Sequence, residues 1–223
     1  MLLEVIPGSG FCSNCFILHN KEDARVLIID LGLPGSQTNF VLKTALEKIA
    51  ETKTEKLAIE VFLTHCHIDH ILGADNLQGF SQVKFSASPL AAKHINARDN
   101  VTLLSMARSS TKITYSIHQT YKDGTLISFP NTELEVIHAP GHTDGSAVIY
   151  DRRSRTLFAG DVVFAQGASG RVDLPTGNRK VLLNSLGKLA KLKIDHLYPG
   201  HGIALHQNVR ENILAAKSML ESY

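Results

Sequence analysis

The sequence predicts an α/β fold in which sheets alternate with outer helices, and three observations carry that expectation. Short apolar runs ending at Gly, Pro or Asp recur along the chain as strand candidates, and stretches with apolar residues at helical spacing separate several of them. At 223 residues and 43% hydrophobic composition the chain can bury one sizeable core, so a single domain over residues 1–223 is expected.

The elements follow in order. Leu2 to Ile6, Cys15 to His19 and Val26 to Asp30 read as strands of an opening sheet, the last two joined by the polar turn Asn20 to Arg25. Gly32, Pro34 and Gly35 break the pattern, after which Thr38 to Lys53 places Phe40, Val41, Ala45, Leu46 and Ile49 on one helical face. Leu57 to Leu63 is almost continuously apolar, a buried strand that delivers the chain into THCHIDHILG. Further on, Val83 to Ala87, Thr125 to Phe129, Leu134 to His138, Ala147 to Tyr150, Thr156 to Phe158 and His196 to Tyr198 read as strands. Pro89 to Arg98, Val181 to Leu192 and Asn208 to Leu220 read as helices.

Composition excludes some classes of partner. With 23 Lys and Arg against 21 Asp and Glu and no block of like charge, neither a nucleic-acid groove nor an acidic membrane surface is indicated. The start, MLLEVIPGSGFCSNC, has neither a positively charged leader nor a long apolar stretch, and no later window holds eighteen apolar residues in a row, so neither export nor membrane insertion is expected. Three cysteines, one inside the histidine cluster, argue against a disulfide framework, and a reducing, cytoplasmic setting is expected.

The segment Thr64 to Gly73 crowds His65, His67, Asp69 and His70 at a strand end. If the strand continues, His65 and His67 project to one side while Asp69 and His70 lie around the turn. Such a set is costly to desolvate unless something compensates it, and imidazoles with a carboxylate are ligands suited to Zn²⁺. A solvated polar loop would not explain why similar groups recur beside glycine turns: His142 in APGHTDGS, Asp161 in FAGD and His201 in YPGHG. Five histidines and two aspartates suffice for two metals.

In this order, H-x-H-x-D-H, G-H-T, G-D and P-G-H-G resemble the metallo-β-lactamase superfamily over residues 65 to 201. The resemblance implies a four-layer αββα sandwich with its metals at one edge of the sheets. It implies His65, His67 and His142 on a first metal, Asp69, His70 and His201 on a second, and Asp161 bridging them. Two divalent ions are expected, zinc first, with iron or manganese as alternatives. The implied chemistry is attack on a carbonyl by a metal-bridging hydroxide, with Asp69 orienting the attacking group or accepting its proton.

The segment GRVDLPTGN at 170–178 and LYPGHG at 197–202 resemble short glyoxalase-II-like thioesterases, which makes a small-molecule thioester the expected substrate. Compared with the longer members, one helix remains after His201, so a thiol other than glutathione is open. Asp144, where the family often has proline, reads as a turn variation. Arg171 either pairs with a substrate carboxylate or pins its own loop through Asp173. The main alternative in the same fold is a persulfide dioxygenase using one iron, which His65, His142 and Asp161 could hold; the hydrolase-like LYPGHG favours hydrolysis. Another ester, lactone or amide remains a hydrolytic alternative. A nuclease lacks the basic excess of that branch, and an inactive binding protein would be expected to have lost ligands.

Other residues carry plainer expectations. Cys12 and Cys15 form a lone C-x-x-C and read as small hydrophobes, while Ser9 to Asn14 could form a lip over the metals. Cys66 should face away from the ligands and pack. His19, His94, His118, His138, His196 and His206 have no partner motif and read as surface or packing residues.

Overall fold

The computed structural model describes residues 1–107 and 112–222. Two sheets are present. The first contains β1 (Leu2–Ile6), β2 (Cys15–His19), β3 (Arg25–Ile29), β4 (Ala58–Leu63), β5 (Gln82–Ala87) and β6 (Gln119–Thr120) in chain order, parallel from β3 onward. The second contains β7 (Thr125–Ile127), β8 (Leu134–His138), β9 (Ala147–Asp151), β10 (Thr156–Gly160) and β11 (His196–Pro199), also in chain order.

The central strands β2, β3, β9 and β10 are nearly continuous in apolar residues because both their faces are covered, and their alternation sorts side chains between layers. Phe16, Leu18, Leu27, Ile29 and Phe62 point inward against Val136, Ile149 and Phe158 of the second sheet. The intervening Ile17, Val26, Ile28, Val61 and Leu63 face outward to a helical layer of α1 (Gln37–Glu51) and α3 (Pro89–Ala97). Ile137, Val148, Leu157 and Ala159 face the opposite layer, α4 (Arg179–Leu189) and α5 (Val209–Ser222). The result is the expected αββα order.

Helices α1, α3 and α4 start where the sequence offers a cap. Ser36 accepts from Asn39 N at 3.0 Å, Ser88 precedes Pro89 and accepts from Ala91 N, and Asn178 accepts from Val181 N at 3.1 Å. The buried face of α1 differs from expectation. It uses Leu42, Leu46 and Ile49 with Thr38 and Asn39, which turns Phe40 out to 65% exposure. The strands at 125 and 156 are read to within two residues of their observed ends; β6 was missed, because two exposed polar residues carry no periodicity.

Candidate metal centre

All the candidate ligands leave the C-terminal ends of strands at one edge of the sandwich. β4 ends at Leu63, before His65 and His67, so strand alternation does not bring those two together; a turn does. His67 is the extended residue preceding a short helix, α2 (Ile68–Ile71), which carries Asp69 and His70. His142 follows β8, Asp161 follows β10 and His201 follows β11.

Two groups of donors result: His65, His67 and His142, and Asp69, His70, Asp161 and His201, the ligand atoms in each within 4.8 Å of one another. His67 Nδ1 lies 2.9 Å from His142 Nε2, and His201 Nε2 lies 3.0 Å from Asp69 Oδ2. Asp161 reaches both groups, with Oδ1 3.3 Å from His70 Nε2, and Oδ2 3.7 Å from His142 Nε2 and 3.5 Å from His201 Nε2.

The hydrogen-bond network fixes the ring orientations. Asp30, fully buried at the end of β3 with φ +59°, accepts from Thr64 N, Thr64 Oγ1 and His70 Nδ1, each at 2.8 Å. Because the Thr64 hydroxyl donates to Asp30, it accepts from His65 Nδ1 at 3.1 Å. His142 Nδ1 donates to the carbonyl of Arg171 at 2.8 Å. His65, His70 and His142 thereby present Nε2 as the lone-pair nitrogen. His65 Nε2, His70 Nε2 and Asp161 Oδ1 are buried without a hydrogen-bond partner. Orphaned donors of this kind fit a divalent cation.

Protonation follows the same division. Burial, reinforced by neighbouring imidazoles, holds His65 well below the usual histidine range and His67 at about 3; burial also lowers His142. For His70 burial acts downward but is outweighed by Asp161, Asp30 and Asp69, which raise it. For Asp161 burial acts upward but is outweighed by His70, His201 and His142, which hold it below the carboxylate range. The first group is therefore neutral and ready to ligate. Around His70 the carboxylates of Asp161, Asp30 and Asp69 favour positive charge, which a divalent cation would supply.

Glycines in the motifs leave room for this packing. A Cβ on Gly200 would overlap Asp161 Oδ1 and lie 2.8 Å from His70 Cε1, and one on Gly170 would lie 2.8 Å from His142 Nδ1.

The centre opens into a cleft of about 340 Å³ lined by Phe11, Leu103, Met106, Phe164, Arg171 and Leu174 along with His67, Asp69, His142, Asp161 and His201. The segment around Phe11 is a lip, as the sequence suggested. Ser13 N donates to Asp69 O, and Asn14 N to Gly200 O at 2.6 Å, while Asn14 Nδ2 donates to Pro199 O and Gly202 O. Cys12 Sγ accepts from Leu33 N at 3.2 Å, tying the lip to the loop before α1. Cys66 is buried in the outer core, away from the ligands, and burial raises its thiol pKa. From the other side, Asn212 of α5 accepts from Gly167 N and donates to Phe164 O, both at 2.8 Å, holding the wall that carries Phe164.

Arg171 lines the cleft, but its guanidinium donates to Asp173 at 2.9 and 2.6 Å with both side chains exposed. His94 differs from the plain reading: its Nδ1 faces Asp99 at 2.6 Å and its Nε2 faces Asp144 at 3.0 Å. Asp144 thus anchors the turn carrying His142 to α3. The sequence reading placed Asn14 in the lip and His94 among surface or packing residues, without the bonds they make here, and gave Asp30 no role beyond ending a strand. Asp30 does follow an apolar strand directly, as the proposed ligand Asp161 does, and that was the available signal.

Residues 9–201 match the family model of the metallo-beta-lactamase superfamily. The chain belongs to that superfamily. Among its relatives, a Methanocaldococcus jannaschii protein named "Probable metallo-hydrolase" is 33% identical over 91% of this chain and 93% of its own length. The hydroxyacylglutathione hydrolase GloC of Haemophilus influenzae is 27% identical over 91% of each chain. Among solved structures, the BLEG-1 B3 metallo-beta-lactamase superposes with a TM-score of 0.77 at 25% identity, covering 98% of this chain and 99% of its own. TTHA1623 in a di-iron-bound form superposes at 0.68 and 23% identity, covering 91% and 94%. This superfamily member therefore has the shared fold and a candidate two-metal centre. No helix among its described residues is long and apolar enough to cross a membrane.

Proposed function

We propose that the protein is a metal-dependent thioesterase of the glyoxalase-II-like kind. The observation that supports this reading is the placement of Asp161, whose carboxylate reaches both donor groups, Oδ1 toward His70 and Oδ2 toward both His142 and His201. On this reading His65, His67 and His142 hold the first ion, Asp69, His70 and His201 the second, and Asp161 both. Bound there, two divalent ions would supply Lewis acidity and a water acidic enough to serve as hydroxide near neutrality.

The chain's own residues set the rest of the reaction. Asp69 stands in the cleft wall, placed to orient the attacking water and accept its proton. Asp30, through His70, and the Arg171 carbonyl, through His142, hold imidazoles in the tautomers that ligation needs. Phe11 and Phe164 flank the opening and shield the reacting carbonyl from bulk water. The likeness to GloC supports the thioester class, since that relative is named for hydrolysing hydroxyacylglutathione.

The test is metal analysis of protein purified without added metal, combined with turnover of S-lactoylglutathione and of a persulfide with oxygen monitored. Two ions per chain and thioester hydrolysis without oxygen uptake are expected. A single iron with oxygen consumption on the persulfide would replace this reading with the dioxygenase.

A further inference from the structure

Beside the catalytic cleft lies a second one of about 490 Å³, and the two share Phe11 and Met106 as a common ridge. Its other walls include Leu33, Pro34, Ile68 and Leu72. The side-chain hydroxyl in it, on Ser36, is already engaged, donating to Leu33 O at 2.7 Å and accepting from Asn39 N at 3.0 Å. The ridge residues are large and apolar yet open to solvent, Phe11 at 54% and Met106 at 64%. Phe11 is not exposed through slack, because Cys12 and Ser13 beside it are tied to Leu33 and Asp69. An apolar surface held open next to a reaction centre marks a binding site.

The charges point the same way. Among the described residues of both clefts, Arg171 is the one Lys or Arg, and Asp173 already engages its Nε and Nη2. A thiol bearing several carboxylates would find a single guanidinium, its charge already shared with Asp173, whereas the apolar lining is extensive. We infer that the substrate carries an unbranched hydrocarbon chain, which runs from the metal centre across the Phe11 and Met106 ridge into the second cleft. This deepens the thioesterase reading and rests on it. The chain could belong to the acyl group or the thiol, and matched series separate the two.

The zinc-loaded protein would be assayed on straight-chain acyl thioesters of a small neutral thiol, from acetyl to decanoyl, on acetyl esters of alkyl thiols of the same lengths, and on S-lactoylglutathione. Transfer of each methylene out of water predicts a rise in kcat/KM of up to about fourfold per carbon in one series until the groove is filled. Met106→Ser and Phe11→Ser, both at exposed positions, should lower the octanoyl-to-acetyl ratio, or its alkyl-thiol counterpart, by about tenfold. Phe40→Ser, at the exposed face of α1, should leave that ratio unchanged.

A second measurement does not depend on turnover: octanoate should raise the melting temperature of the metal-free protein more than acetate does, and Met106→Ser should remove the difference. Hydrolysis with flat length dependence in both series, or S-lactoylglutathione preferred over every long-chain ester, would overturn the inference and leave the thioesterase intact. Octanoate binding abolished by Met106→Ser, with no thioester hydrolysed, would keep the groove and reject the thioesterase. Self-association abolished by Phe11→Ser, with the chain-length ratio unaltered, would make the ridge a contact between copies and overturn the inference.

Discussion

Asp30→Asn tests the network behind the metal centre with the smallest possible change. The carboxylate receives three donors, Thr64 N on Oδ1 and both Thr64 Oγ1 and His70 Nδ1 on Oδ2. An amide keeps an acceptor for Thr64 N but sets an NH₂ against the other two donors. Relief comes if the Thr64 hydroxyl turns and His70 moves its proton to Nε2, the nitrogen that faces Asp69 and Asp161. That tautomer cannot ligate. Loss of such a partner typically costs 10–100-fold in metal affinity, about 1.4–2.8 kcal/mol. Any donor left unmatched costs a further ~1–3 kcal/mol of stability, and each kcal/mol lowers the melting temperature by about 2–4 °C for a chain of this size. Chelator competition resolves the two metal affinities, and thermal unfolding of the metal-free protein gives the structural part separately. The second-site affinity should fall more than the first, which the turned Thr64 hydroxyl reaches only through His65. A lowered melting temperature with both affinities as in the wild type would refute the tautomer argument and reduce Asp30 to a structural residue.

Other substitutions divide the site further. Asp161→Ala should reduce occupancy of both metals, whereas Asp144→Ala should leave the ligand set complete and cost about a tenth as much activity or less; equal losses, read by metal content and turnover, would contradict the bridging assignment. Gly200→Ala should displace Asp161 and His70 and lower metal content with every ligand still present, so unchanged metal stoichiometry and affinity would show that the close packing there is dispensable. For His94, burial pulls the pKa down, but its bonds to Asp99 and Asp144 raise it above the ordinary value. Its pairing therefore stabilises the fold fully below about pH 6.5 and fades as pH rises through the raised value. The stability gap between wild type and His94→Ala, from denaturant titrations, should be wider at pH 6 than at pH 9, and a gap that widens with pH would refute that sign.

What the sequence disclosed follows from the range of the physics involved. The strand runs were readable because both faces of the central strands are buried, which leaves uninterrupted stretches such as Val26 to Ile29 and Val61 to Leu63. The candidate ligands were readable because titratable residues beside glycine turns are conspicuous at a strand end. Asp30 was not, since its meaning depends on Thr64 and His70, more than thirty positions away. Asp144 was read as a turn variation because nothing local announces His94 as its partner. Phe40 fits a helical stripe as well as Leu42 does, and tertiary packing chose between them. The ridge of Phe11 and Met106 joins segments almost a hundred residues apart, so neither residue alone suggested a wall.

The two donor groups share one topological property. His65, His67, Asp69 and His70 hang from the first sheet, and His142, Asp161 and His201 from the second, and each group takes members from both. A divalent ion held by either group is consequently a rivet through the seam of the sandwich. Closing the sheets and assembling the chelate become a single event, and at a free metal concentration a hundred times the dissociation constant the rivet adds about 2.7 kcal/mol against unfolding. Metal supply would then set the stability of the folded chain as well as the state of its candidate site.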